Sequence, residues 1–78
     1  GKLVRKELDA AIVDVQGVGY KVFIPLNVYS RLPTLGVDLI LYTTFVIREA
    51  FQALYGFLDL QERELFEILI SISGIGPK

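Results

Sequence analysis

Ala11-Ile12-Val13-Asp14-Val15-Gln16-Gly17-Val18-Gly19-Tyr20-Lys21-Val22-Phe23-Ile24-Pro25 is the stretch that decides the fold. Its apolar residues recur at every second position, the period of a strand whose successive side chains point to opposite faces. Ala11, Val13 and Val15 share one face, with Asp14 and Gln16 on the other. Gly17-Val18-Gly19 interrupts the pattern. Tyr20, Val22, Ile24 and Leu26 then alternate against Gly19, Lys21, Phe23 and Pro25, and Pro25 closes the second strand because it has no N–H to give to a ladder. The glycines resemble the start of a dinucleotide fingerprint, but Val22 stands where the third glycine belongs and no helical pattern follows. Gly17-Val18-Gly19 therefore reads as a strand-to-strand turn.

More strands lie on either side. Leu3 to Leu8 is a short candidate. Asn27 to Leu32 fits a single helical turn with Asn27 as its N-cap, and Pro33-Thr34-Leu35-Gly36 is a loop. Val37 to Ile47 reads as one long strand, with Leu39, Leu41, Phe45 and Ile47 on one face and Ile40, Tyr42 and Val46 on the other. Two apolar faces imply a strand covered on both sides. Arg48-Glu49 marks a turn. Phe51 to Phe57 is the last strand, with Gly56 a bulge or a place of close approach.

The final third is helical. Asp59 is the expected N-cap, and Glu62 three residues later makes a capping-box pattern. Leu65, Phe66, Leu69, Ile70 and Ile72 form a stripe expected to face a core, leaving Glu62, Glu64 and Glu67 as a solvated face. Five short strands followed by a helix predict a mainly β protein, a small five-stranded Greek-key barrel of the OB type with a C-terminal α-helix. The expected division is an OB-fold domain over 1–58 and a second element over 59–78. The helix runs into Ser73-Gly74-Ile75-Gly76-Pro77-Lys78, which fits two readings. One is the hairpin of a helix-hairpin-helix, where glycines allow close backbone approach and a helix start presents N–H groups to a phosphate. The other is a C-cap glycine followed by a stop-signal proline.

Composition narrows the chemistry. With 78 residues, 53% of them hydrophobic, the chain is one small ordered domain with apolar surface to spare for a partner. It has no cysteine and no histidine, which removes thiol catalysis, disulfides and the commonest general base and metal ligand. No apolar run reaches membrane-spanning length and no signal-peptide pattern opens the chain. Methionine is absent, so a chain trimmed at both ends is expected. The net charge is −1, divided as six Lys/Arg against four Asp/Glu over 1–48 and two against five over 49–78. With no basic cluster, any binding of DNA by this chain alone is expected to be weak.

Four blocks in register carry a resemblance that goes beyond fold. Asp14-Val15-Gln16-Gly17-Val18-Gly19-Tyr20-Lys21-Val22 resembles the V-x-G-V-G-Y-x-V opening of the RuvA family of bacterial Holliday-junction-binding proteins. Leu41 to Glu49, followed by Leu54-Tyr55-Gly56-Phe57, resembles the family's T-x-x-V-V-R-E-D…L-Y-G-F segment. Gln61-Glu62-Arg63-Glu64-Leu65-Phe66 and the terminal Gly74-Ile75-Gly76-Pro77-Lys78 continue the match in the same order. Such proteins assemble on a four-way DNA junction as tetramers or octamers and hold it open and flat, while a RuvB-type motor ATPase drives branch migration in recombination and repair.

The resemblance implies a non-catalytic, cytoplasmic accessory subunit with no cofactor and no metal. It implies an OB-fold domain followed by the first helix and hairpin of a helix-hairpin-helix domain; the motor would be recruited by a C-terminal domain that this chain lacks. Its DNA contacts would come from Ser73, Gly74, Ile75, Gly76 and Lys78, with Arg48 reaching a phosphate or pairing with Glu49. Glu49 would be the acidic pin aimed at the crossover. The family's second pin acid is replaced here by Ala50. Three classes stay open: a junction binder, an OB-fold assembly module without DNA affinity of its own, and an enzyme. The last is thinly supported, because nothing in the sequence brings a carboxylate pair such as Glu49 and Asp59 together and no Walker-type loop is present.

Overall fold

A computed structural model describes residues 1–73. At its centre β2 (Ala10–Val15) and β3 (Val18–Phe23) form an antiparallel hairpin. The two loop residues, Gln16 and Gly17, both have positive φ, 52° and 87°. Positive φ at both positions is what a type I′ turn requires, and the twist of that turn matches the twist of the flanking strands. The Asp14 carboxylate accepts the Gly17 N–H at 2.9 Å and closes the corner. The interruption is thus a strand-to-strand turn, but shifted by one residue: Val18 and Gly19 already belong to β3, opposite Val15 and Asp14.

β1 (Lys2–Glu7) runs antiparallel to β2, with a register shift between Leu3 and Arg5. β4 (Tyr42–Ile47) and β5 (Gln52–Phe57) form a second antiparallel hairpin. β5 lies parallel to β3 through two pairs, Val22–Leu54 and Phe23–Tyr55, so the sheet order is β1-β2-β3-β5-β4.

The long strand expected over 37–47 is two pieces. Residues 36–39 turn to β1, where the Leu3 N–H donates to Val37 O (3.1 Å) and the Gly36 N–H to Leu3 O (2.7 Å). Leu39 N–H donates to Gly1 O at 2.8 Å, and the Gly1 amino group returns a bond to Leu39 O at 3.0 Å. Only after Ile40-Leu41 does β4 begin its pairing with β5. Closing a sheet into a barrel demands tilt and stagger, and a straight strand cannot serve both neighbours across that corner. These bonds close the OB-type barrel between its two outer strands. The two-sided cover expected for this stretch fails: Ile40, Phe45 and Ile47 are all more than half exposed.

Inside sit Leu3, Ala11, Val13, Val22, Ile24, Val28 and Phe57. Val28 reaches them from α1 (Leu26–Tyr29), which begins two residues earlier than an Asn27 cap implies. Pro25, not Asn27, occupies the N-cap, and its carbonyl accepts the N–H groups of Val28 and Tyr29 at 3.0 Å each. Starting there turns Val28 into the core, where it is fully buried. Asn27 lies within the helix instead.

α2 (Leu60–Ser73) follows Asp59 and rests on the outside of the β4–β5 hairpin. Phe66 meets Tyr55 and Phe57 with ring centroids 5.3 and 5.1 Å apart, and Tyr55 meets Phe23 at 5.8 Å. The helix is rotated from the expected orientation. Glu62, Arg63, Phe66, Glu67 and Ile70 are the half-buried residues, whereas Leu65, Ile68 and Leu69 are 57%, 52% and 56% exposed. A mostly polar face meets the barrel because polar partners wait there. Glu62 and Glu67, expected in solvent, bond to Arg31 and Thr44. No helix among the described residues is long and apolar enough to cross a membrane.

Gly56 is a place of close approach rather than a bulge, since β4 and β5 pair without a break. A Cβ at Gly56 would stand 2.5 Å from Val22 Cγ1, and Val22 is only 3% exposed and has little room to retreat. Gly56→Ala should therefore destabilise the fold by about 1–3 kcal/mol through overpacking. Gly19→Ala meets only Ile12 Cγ2 at 3.6 Å and should lie within roughly 1 kcal/mol of the parent, the cost range for backbone-compatible changes. Thermal melts of the two variants check both expectations, and shortening Val22 to alanine beside Gly56→Ala should recover part of the loss.

Candidate nucleic-acid interface

The exposed tip of the β4–β5 hairpin is the first candidate. Ile47 is the last residue of β4 and Gln52 the first of β5, and they pair directly. Beyond them Arg48 and Phe51 exchange two backbone hydrogen bonds, Arg48 N–H to Phe51 O at 2.8 Å and Phe51 N–H to Arg48 O at 3.3 Å. That leaves Glu49 and Ala50 alone in a two-residue loop. Neither has positive φ, so the turn is not of the I′ or II′ type usual at this loop length. The absence of glycine or asparagine at these positions is consistent with that geometry.

Glu49 and Ala50 are exposed and Arg48 is half-buried. The Arg48 guanidinium bends back to donate to Ile47 O at 3.1 Å. Among the described residues no ion pair joins Arg48 to Glu49 or engages Glu49 at all. Of the two expected roles of Arg48, the pairing with Glu49 is not formed; the side chain instead braces the base of the loop. Glu49 is thus exposed at the tip without an ion-pair partner among the described residues.

Below the tip lies an open groove of about 750 Å³. Its lining includes Ala50 and Phe51 from the hairpin loop and the rings of Phe23, Tyr55, Phe57 and Phe66. The groove therefore runs from the hairpin tip to the seat of α2. Glu49 and Asp59, the one carboxylate pair that suggested acid–base work, stand at opposite ends of β5. Asp59 is engaged by Arg31 at 3.4 Å. The described residues contain no cluster of ligands suited to a metal ion.

The second candidate is the end of α2. Ser73 is its last residue. Gly74, Ile75, Gly76 and Lys78, the expected phosphate-gripping hairpin, lie outside the described residues. Elsewhere the basic side chains are dispersed or already engaged. Arg5 and Lys21 both lie 3.4 Å from Glu7, and the Lys21 ammonium also sits 5.2 Å from the centre of the Phe23 ring. Sequence reasoning missed Arg31, Asn27 and Thr44, which hold α2 to the barrel. Their partners lie 23 to 35 residues away in the chain, and no local pattern signals contacts at that range.

Comparison with known proteins agrees with this architecture. The family model described as the RuvA N terminal domain matches residues 1–56. The chain is 49% identical over its whole length to the Holliday junction branch migration complex subunit RuvA of Shewanella halifaxensis, covering 38% of that protein. It is 56% identical over 68 residues, 87% of the chain, to the protein of the same name from Protochlamydia amoebophila, covering 34% of it. It is 47% identical over its whole length to that of Chlorobaculum parvum, again covering 38%. The chain thus spans little more than a third of the length of the curated relatives it matches. A closed five-stranded barrel, a two-residue acidic hairpin tip and a family match over residues 1–56 lead to one conclusion: this chain belongs to the RuvA N-terminal domain family.

Proposed function

We propose that this chain is the N-terminal part of a non-catalytic DNA-binding subunit that recognises four-way junctions and holds them open for branch migration by a RuvB-type motor ATPase. The observation that carries the reading is the exposed Glu49 carboxylate, without an ion pair among the described residues, on a two-residue tip closed by the Arg48–Phe51 backbone bonds. A carboxylate near a phosphate is repelled by roughly 1 to 4 kcal/mol at about 4 Å, for effective dielectrics of 80 to 20. Glu49 therefore adds no affinity. It deflects strands away from the crossover and into the arms, a form of steering by exclusion. With Ala50 in the second position, each subunit brings one such charge rather than two.

Affinity comes from elsewhere. In this reading α2 and residues 74–78 are the first helix and hairpin of a helix-hairpin-helix domain, with Ser73, Gly74, Ile75, Gly76 and Lys78 at the phosphates and Arg48 near the crossover. The outward stripe of Leu65, Ile68 and Leu69 supports it, since an apolar helix face in water calls for further chain to cover it. One hairpin binds weakly, and a homotetramer, or two stacked as an octamer, multiplies the contact by effective concentration. Phe45 and Ile47, exposed on one face of β4, are suited to that assembly. The subunit acts in the bacterial cytoplasm and needs no cofactor. The net charge of −1 favours a second reading, an OB-fold assembly module without DNA affinity of its own.

Fluorescence anisotropy of the full-length protein against a four-way junction and a matched duplex, at about 150 mM salt, separates the two readings. Junction preference is expected, and equal weak binding to both would leave the assembly module. Glu49→Gln should bind the junction at least as tightly as the parent while discriminating strands less well, and Ala50→Asp should bind less tightly and steer more strongly. Lys78→Ala should weaken junction and duplex alike and lower the salt slope by about one unit for each phosphate that the ammonium neutralises.

A further inference from the structure

α2 meets the barrel through its polar face, and that joint has one organiser. Arg31, just after α1, has every guanidinium nitrogen bonded. Nε donates to Asn27 O at 3.1 Å, Nη2 to both carboxylate oxygens of Glu62 at 2.9 and 3.0 Å, and Nη1 to the Asp59 carboxylate at 3.4 Å. The Asn27 amide adds a bond to Glu62 Oε2 at 3.0 Å. Asp59 and Glu62 bracket the first turn of α2. Further along, the Thr44 hydroxyl on β4 donates to Glu67 at 2.8 Å. The helix is thus held at two heights by directional bonds, with the Phe66 ring between them.

The hydrophobic effect itself has no preferred direction, so apolar contact opposes rotation only through the fit of side-chain shapes. A planar fork bonded to fixed acceptors does resist rotation. Exposed ion pairs add little to stability, and here the side chains of Arg31 and Asp59 are 44% and 61% exposed. The network is therefore suited to setting geometry more than to holding the fold. The Glu62 hydrogen bond leads the causes that raise the Arg31 pKa above its already high ordinary value. The cation persists at every accessible pH, and salt loosens the joint by screening its attraction to the two carboxylates.

Thr44 pairs with Tyr55 across the same hairpin that carries Glu49 at its tip. The helix seat and the tip lie on one continuously paired two-stranded ribbon. We propose that Arg31 is a positioning residue: by gripping Asp59 and Glu62 it fixes the rotation of α2 on the barrel relative to the hairpin that carries Glu49. The consequence for DNA rests on the junction-binding reading; the geometry does not.

These 78 residues contain no cysteine, so Gln52→Cys and Ser71→Cys, both at exposed positions, are the labelling sites within them, with any cysteine elsewhere in the full-length protein first replaced by serine. Pulsed dipolar spectroscopy on the labelled full-length protein, diluted with unlabelled copies, reads the distance between tip and helix. A narrow distribution is expected for the parent, a broadened or displaced one for Arg31→Met, and an intermediate one for Arg31→Lys, which keeps the charge and loses the fork. The melting temperature should fall by no more than about 4 °C. The junction-to-duplex affinity ratio of Arg31→Met should drop about tenfold or more as the hairpins lose their common geometry, with duplex affinity nearly unchanged. An unchanged distance distribution in Arg31→Met overturns the proposal, as does a large fall in melting temperature with junction and duplex affinity reduced equally. If the parent itself shows no junction preference, the junction reading fails instead, and the distance measurement still decides the role of Arg31.

Discussion

Two strand pairs, Val22–Leu54 and Phe23–Tyr55, join the β1-β2-β3 meander to the hairpin that carries the tip. Every other strand pairing in this barrel, apart from the closure at residues 36–39, is between neighbours in sequence and forms locally. The parallel seam is short, and Gly56 lets β5 come close against Val22 there. It also begins the row of rings Phe23, Tyr55, Phe66 and Phe57 that seats α2. Loosening the seam would move the tip, the groove beneath it and the helix together. The outer faces can therefore carry exposed apolar side chains and a lone carboxylate without endangering the fold.

Features written in local patterns are legible in the sequence. The alternation around Gly17 marks the first hairpin to within one residue, because a type I′ corner needs a glycine and the flanking strands have period two. The Arg48-Glu49 turn and the start of α2 after Asp59 are equally plain. What escapes depends on contacts distant in sequence. Nothing in the run Val37 to Ile47 says that its first third belongs to β1 and its last half to β5. Asn27 is a good capping residue, but Pro25 takes the cap because the core wants Val28. The rotation of α2 is hidden for the same reason. Its apolar stripe is genuine, but its polar face is the one with partners on the barrel, above all Arg31.

The electrostatics of the molecule are those of placement rather than quantity. Three of the six Lys/Arg over residues 1–48 are matched by nearby acids: Arg5 and Lys21 by Glu7, and Arg31 by Asp59 and Glu62. Glu49, exposed at the hairpin tip, has no ion pair among the described residues, and Arg48 turns its charge back toward the strand below it. A protein of near-zero net charge can in this way present a sharply local negative field. Screening over about 8 Å at physiological ionic strength confines that field to the immediate surroundings of the tip.

The row of aromatic rings also makes the molecule its own optical reporter. The chain has no tryptophan and four tyrosines. Tyr20 and Tyr42 lie exposed, whereas Tyr55 is held between the rings of Phe23 and Phe66. Near-ultraviolet circular dichroism arises from aromatic side chains in fixed asymmetric surroundings and vanishes when packing becomes fluid. The Tyr55 contribution to that signal therefore follows the seating of α2 on the barrel, without any label, while the far-ultraviolet signal follows the strands and helices themselves.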